Sequence, residues 1–159
     1  MEKEIIMEFE LRFKEFKKDL GFKSSLNKID EIFLLRDGFS EEGHIGSDMY
    51  RAISRKIVDV YTHWANQLHG LVIPNPNSMI SVTQNSMFNE TDRDEMIMVL
   101  NKMLALTSRN SVIILERNKK EEARFIDDSV KYWNKELEPL MKKVSKKILK
   151  TWEKKASEK

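Results

Sequence analysis

The sequence contains no cysteine and only three histidines, three prolines and five glycines among its 159 residues. Without cysteine, the chain has no disulfide bond, no thiolate metal site and no thiol nucleophile. No apolar run reaches the roughly 20 residues that a membrane-spanning helix needs. The first residues alternate between acidic and apolar side chains, so we expect no secretory signal and a cytoplasmic protein.

The common catalytic motifs are missing as well. The sequence has no glycine-rich dinucleotide loop, no phosphate-binding loop, no GxSxG and no HExxH. We therefore expect no cofactor. The sequence favours, without deciding the point, a protein that is not an enzyme.

Composition and the spacing of apolar residues indicate one helical domain. Hydrophobic residues make up 40% of the chain and charged residues 34%, as in an ordinary soluble domain. Apolar residues recur every three or four positions over long stretches, which is the spacing of a buried helix face. The sequence predicts an all-α fold, a single-domain helical bundle of five to six helices. It covers residues 1–155 and leaves 156–159 as a disordered tail.

The segment from about 92 to 107 is the predicted centre of this bundle. Thr91 is a suitable N-cap, and acidic residues follow in the first turn, where the helix dipole favours them. From Met96 to Leu106 apolar residues cover most of the helix circumference, which predicts a buried central helix with neighbours on nearly every side. We expect Asn110 and Ser111 to interrupt it, and residues 112–115 to begin a further helix or, as the alternative, to form a short strand.

Three helices are predicted before this segment. They are a helix over residues 2–20, a short helix capped by Ser24 or Ser25 that ends near Gly38, and a helix that follows Ser47 and ends at Gly70. A glycine-containing loop is predicted at 38–47.

Residues 71–89 form a long connection to the central helix. Two prolines exclude a regular helix at its start, whereas Met79 and Ile80 are too apolar for a flexible linker. A short helix is predicted near 78–84. Two interpretations of the segment stay open, ordered packing over the core and a binding loop.

The final predicted element is a long helix from about 120 to 154. Its apolar residues, from Ile126 to Trp152, keep one helical phase across Pro139. A chain break at the proline would have shifted that phase. The sequence therefore favours one helix with a kink at Pro139 over two consecutive helices.

The carboxyl-terminal helix has a basic face. The net charge of the chain is +2, but residues 140–159 hold eight lysines against two glutamates. The face opposite the apolar one presents Lys142, Lys143, Lys146, Lys147, Lys150 and Lys154. Three interpretations compete: a solvated face of a bundle helix, a phosphate-contacting surface for RNA or DNA, and an interfacial membrane helix, which we do not expect. The face has no arginine, so any nucleic-acid binding would be nonspecific.

Histidines and carboxylates come together in two places. One group lies in the predicted loop: Glu41, Glu42, His44 and Asp48. In the next helix His63 follows Asp59 by four positions, which places both on one face. Imidazole and carboxylate groups bind divalent metals, but turn, cap and surface-pair chemistry explains both groups more simply. We expect no metal site.

These patterns favour a non-enzymatic interaction or scaffold protein. The large apolar residues exceed what one central helix covers, and self-association buries such faces. We predict a homo-oligomer or a subunit of a larger assembly. A nucleic-acid-associated accessory protein that uses the lysine face is the first alternative. An enzyme or metal-binding protein that uses His44 or His63 with nearby carboxylates is the second.

Overall fold

The computed structural model describes residues 2–42 and 46–158, without the side chains of residues 2 and 40–42. Within this part of the chain there is no strand, and helices follow one another throughout. They are α1 (Glu2–Leu20), α2 (Leu26–Phe33), α3 (Leu35–Glu42), α4 (Met49–Val72), α5 (Met79–Ser86), α6 (Glu90–Glu116), α7 (Lys119–Tyr132) and α8 (Glu138–Ser157). The predicted all-α class is confirmed.

A π-helical turn joins α7 to α8 over Trp133–Leu137. The amide of Glu138 donates to the carbonyl of Trp133, five residues earlier. The helical run is therefore continuous from 119 to 157, and the prediction of one long helix across Pro139 is confirmed. The irregularity is a widened turn just before the proline, a common cause of bending in long helices. The alternative of two separate helices is wrong.

The residues described contain seven helices when this run counts as one, one more than the upper prediction. The single helix predicted up to Gly38 is in fact two helices, α2 and α3. Leu34 adopts a left-handed conformation with φ of 51° and ends α2, and α3 begins at the next residue. The prediction of a loop at 38–47 is wrong for residues 38–42, which are helical. Residues 43–45 lie outside the described residues.

Two predicted helix ends are also wrong. Helix α4 continues through Gly70 to Val72. Helix α6 continues through Asn110 and Ser111 to Glu116. The side chain of Asn110 does not compete for the helix backbone, because its carbonyl accepts a hydrogen bond from the Tyr50 hydroxyl at 2.7 Å. The last helix passes residue 155 and ends at Ser157. The tail boundary and the single domain stay predictions.

Backbone contacts group the chain into two compact units. The first unit contains Met1–Tyr61 and Leu106–Lys131, and the second contains Thr62–Ala105 and Tyr132–Lys159. In the first unit the core is rich in aromatic rings. Phe9 stacks on Phe39 with ring centroids 4.2 Å apart, and Tyr50 meets Phe125 edge to face. The hydroxyl of Tyr61 donates to the carbonyl of Ser129, so a buried polar group is satisfied.

Polar contacts also hold the helices of the first unit together. The Asp127 carboxylate accepts hydrogen bonds from the backbone amides of Lys23 and Ser24, both at 2.8 Å, and so fixes the α1–α2 connection against α7. The Arg36 guanidinium donates to Glu10 and Asp30 at 2.8 and 2.7 Å. This links α1, α2 and α3.

The second unit has a core of aliphatic and methionine side chains. Its buried members include Leu68, Met96, Val99, Met103, Leu137, Leu140 and Val144. The predicted burial of the central segment is confirmed for one face only. On the other face Ile97, Met98 and Leu104 are exposed by 38, 52 and 48%. The prediction that neighbours seal this helix on nearly every side is therefore wrong.

Candidate functional site

Helix α6 begins with a reciprocal cap that organises part of the lysine face. The Asn89 side chain accepts from the amide of Asp92 at 2.8 Å, and the Asp92 carboxylate accepts from the amide of Asn89 at 3.4 Å. This arrangement is that of a capping box. The N-cap is therefore Asn89, and the prediction of Thr91 in that position is wrong, because α6 already begins at Glu90.

Two lysines of α8 bind the first turn of α6. Lys147 donates to the Asp92 carboxylate at 2.7 Å, and Lys143 donates to Glu95 at 2.6 Å. The hydrogen bond from Lys147 holds the pKa of Asp92 below its ordinary value. The hydrogen bond to Glu95 raises the pKa of Lys143. These two lysines therefore hold α8 against α6.

The other four lysines of the predicted face project from α8. Lys142 pairs with Glu138 of the preceding turn at 2.9 Å. Lys146, Lys150 and Lys154 are exposed and form no ion pair with any carboxylate that the structure describes. Because these three are four residues apart, they form one stripe with a rise of about 6 Å per step. Their role in binding phosphates stays a prediction.

The histidine and carboxylate groups do not form a metal centre in the part of the chain described. No cluster of three or more histidine, aspartate or glutamate residues is arranged there to hold an ion. His63 is exposed, with its ring beside that of Trp64. Asp48 pairs with Arg117 and Arg51. The side chains of Glu41, Glu42 and His44 lie outside the described residues.

Helix α5 has no buried residue, although it carries large apolar side chains. Met79, Ile80 and Val82 are exposed by 85, 64 and 44%, and Ile73 just before the helix is exposed by 60%. We call these four residues the α5 surface. A short helix is marginal in water unless an apolar face is covered, so the exposure of this face calls for an explanation.

Polar side chains at the ends of α5 keep it in place. Ser78 caps its first turn, accepting from the amide of Ser81 at 3.2 Å. The Asn85 amide donates to the carbonyls of Leu71 and Val72 at the end of α4, at 2.6 and 3.2 Å. Arg93 donates to the carbonyl of Asn85 at 3.0 Å. The helix is thus fixed by hydrogen bonds while its apolar side chains face outward.

The sequence holds a signal for this surface that the periodicity of apolar residues does not show. From Gly70 to Asn89 there is no aspartate, glutamate, lysine or arginine, in a chain that is 34% charged. Interface centres are depleted of charge and enriched in methionine, whereas ordinary exposed segments are charged. The short helix predicted near 78–84 is confirmed, and the exposed set within it is Met79, Ile80 and Val82.

Comparisons of the chain with protein-family models, with curated proteins and with solved structures find no match. No described helix is both long and apolar enough to cross a membrane. The function must therefore be inferred from the residues themselves.

Proposed function

We propose that this protein is a non-enzymatic interaction protein that associates with a second copy of itself through the α5 surface. The observation that carries the proposal is that no residue of α5 is fully buried and that its methionine and isoleucine side chains are exposed. Covering about 100 Å² of apolar surface stabilises an interface by roughly 2.5 kcal/mol before the costs of association.

The lack of charge around α5 favours self-association. A two-fold interface places the same patch of each copy against the other, so a charged patch would oppose like charges. The stretch from Gly70 to Asn89 has no charged residue, and two copies of it meet without repulsion. The polar side chains near the ends of α5 already bond to backbone groups, so they lose little on burial.

The test is the oligomeric state, measured by sedimentation equilibrium over a wide concentration range. We expect a reversible dimer. Changing Met79→Lys and Ile80→Lys together should weaken it by about 100-fold or more, because each copy would bring two unpaired charges into the interface. Met7→Lys together with Leu11→Lys is the matched control, since these residues are 64 and 61% exposed on α1. It should leave the dimer unchanged. A strict monomer, or a dimer that the double variant leaves intact, would contradict the proposal.

The unpaired lysine stripe of α8 supports a second candidate function, nonspecific binding of RNA or DNA. Lysines that are already paired with carboxylates lose those bonds when they contact phosphates, whereas Lys146, Lys150 and Lys154 have none to lose among the described residues. Each phosphate neutralised releases counterions, so binding would fall steeply with salt.

A filter-binding assay at about 50 mM salt separates this candidate from the first. We expect the triple change Lys146→Glu, Lys150→Glu and Lys154→Glu to abolish retention of RNA. The control reverses three exposed α1 lysines, Lys3, Lys14 and Lys18, and changes the net charge equally. Equal loss in both variants would indicate a net-charge effect only. No retention by the unchanged protein would exclude the candidate.

A further inference from the structure

A groove of about 780 Å³ lies in the first unit, lined by the start of α4 and the last turns of α6. Its volume is within the range of about 300–1,000 Å³ that is typical of small-molecule sites. Ala52, Val58 and Ile114 form an apolar wall. The polar lining comes from Ser47, Asp48, Arg51, Ser54, Arg55 and Asn110.

Asn110 is the most informative polar group in this lining. It is 5% exposed, and its carbonyl oxygen already accepts from the Tyr50 hydroxyl at 2.7 Å. No acceptor among the described residues takes the two hydrogens of its amide nitrogen. Because Asn110 lines the groove, this amide is open to water there, and a ligand acceptor in the groove would take its hydrogens in place of water.

The neighbouring polar groups are also donors. The Ser54 hydroxyl is fully buried, and its one hydrogen bond, to the carbonyl of Arg51, is long at 3.4 Å. The Arg51 guanidinium is half-exposed and lies 3.5 Å from Asp48. Arginine offers a planar set of donors that suits a carboxylate.

The one described carboxylate of the lining does not repel an anion as a free charge would. The oxygens of Asp48 accept from the amide of Arg51 at 3.0 Å and from the Arg117 guanidinium, which forms a close ion pair with it. The negative charge of Asp48 is thus paired with groups of Arg51 and Arg117. The lining thus combines donor groups on Asn110 and Arg51 with the apolar side chains of Ala52, Val58 and Ile114.

We propose that this groove binds a small organic carboxylate with an aliphatic body. The carboxylate accepts from the Asn110 amide and the Arg51 guanidinium, and the aliphatic body lies along Val58 and Ile114. The proposal does not depend on self-association, because every lining residue belongs to the first unit and the α5 surface belongs to the second.

The probe is hexanoate, titrated into the full-length isotope-labelled protein and followed by NMR. We expect saturable shifts of the Asn110 side-chain amide and of the backbone amides of Ala52 and Ile114. The dissociation constant should be on the order of millimolar, as for a ligand with few atoms. Hexan-1-ol lacks the charge and inorganic phosphate lacks the aliphatic body, so each should bind at least about tenfold more weakly.

Two variants test the assigned groups. Arg51→Gln removes a half-exposed charge, should fold normally and should weaken hexanoate binding about tenfold or more. Asn110→Asp keeps the acceptor for Tyr50 but replaces the amide donor with a carboxylate oxygen, and should abolish binding. Arg124→Gln, at a similarly exposed arginine of the same unit, is the control and should bind normally.

Three results would overturn the proposal. They are no saturable shift in the groove with hexanoate, equal binding of hexan-1-ol or phosphate, and equal weakening by Arg124→Gln and Arg51→Gln. Each would show that the donors of the groove do not select an organic anion.

Discussion

The two units of the chain bury different chemistry. The first encloses eight aromatic side chains: Phe9, Phe13, Phe22, Phe33, Phe39, Tyr50, Tyr61 and Phe125. Among the described residues of the second, Phe88 is the one buried aromatic, and leucine, methionine, valine and alanine fill the rest of the core. Among the residues that the structure describes, eight large apolar side chains are exposed on the second unit and five on the first.

Because of this difference, the first unit suits the binding of a small molecule and the second suits association with a protein. The first unit also buries the polar residues Ser54, Asn110, Glu122 and Ser129, and its groove offers directed donors to a small ligand. The second unit buries Asp92 as its one charged or polar residue in the described chain and leaves α5 uncovered. Small-molecule sites combine an apolar wall with a few placed polar groups, whereas protein interfaces expose adaptable apolar side chains such as methionine.

The largest expected effect is on the aromatic core. Phe9 is fully buried and stacked on Phe39, so Phe9→Ala should lower the free energy of unfolding by about 3–5 kcal/mol through lost burial and the cavity that remains. Leu11→Ala, on the exposed side of the same helix, should change it by less than about 0.5 kcal/mol.

Urea unfolding of Phe9→Ala, followed by two probes, tests whether the two units unfold together or separately. All three tryptophans belong to the second unit, so their fluorescence reports that unit, whereas circular dichroism reports all helices. Helices α4 and α6 contribute to both units, and we expect one cooperative transition that Phe9→Ala shifts equally for both probes. A shift in circular dichroism alone would show that the units unfold separately.

The next effect concerns the buried carboxylate of the second unit. Lys147 lowers the pKa of Asp92, so the stabilisation is present above the unfolded-state pKa and is lost as pH falls through the folded-state pKa. Asp92→Asn should therefore cost about 1–2 kcal/mol at neutral pH and progressively less as pH falls below the unfolded-state pKa of an aspartate. Asp94→Asn, at an exposed neighbour, should cost at most about 0.5 kcal/mol. A cost independent of pH would contradict the role of the charge.

The buried carboxylate of the first unit should behave in the opposite way. Glu122 is 7% exposed, and its side chain bonds to no other side chain in the described residues. Burial, together with the charge of Asp48, raises its pKa. Its stabilising contribution is therefore present below the unfolded-state pKa and is lost as pH rises through the folded-state pKa.

Glu122→Gln should for this reason stabilise the protein at neutral pH, on the order of 1 kcal/mol, and change little in acid. Urea unfolding at both pH values measures the difference. Glu121→Gln is the adjacent control, and it should not stabilise at either pH because Glu121 pairs with Arg124. Destabilisation by Glu122→Gln at neutral pH would mean that the carboxylate has a partner in solution.

Local sequence patterns predict part of this fold correctly. They fail at positions where contacts with residues far along the chain determine the structure. Helical phase predicts α1 and the run through Pro139, because both depend on spacing within one segment. The continuity of α6 at Asn110 depends on Tyr50, 60 positions away. The pairing of Lys147 with Asp92 spans 55 positions. No local pattern shows such contacts.

For the candidate sites, too, local sequence predicts some features, and contacts with distant residues decide the others. The absence of charge in 70–89 is visible in the sequence, but the outward direction of Met79 and Ile80 depends on the hydrogen bonds of Asn85 to the end of α4. The apolar residues around α6 likewise predict that other helices pack against it. They do not predict how many sides of α6 the helices of the same chain cover. The α4–α6 groove has no sequence motif, because its donors come from two helices.

The smallest expected effect is at the α5 surface. In a dilute, monomeric sample Met79→Lys should change the free energy of unfolding by less than about 0.5 kcal/mol, because an 85% exposed side chain loses no contact. Phe88→Ala, two residues after the same helix and 4% exposed, is the contrasting change and should cost about 3–5 kcal/mol. Urea unfolding at low protein concentration measures both. A large cost of Met79→Lys in the monomer would mean that other residues of the same chain cover the Met79 side chain. The second unit would then not differ from the first in leaving this apolar surface uncovered.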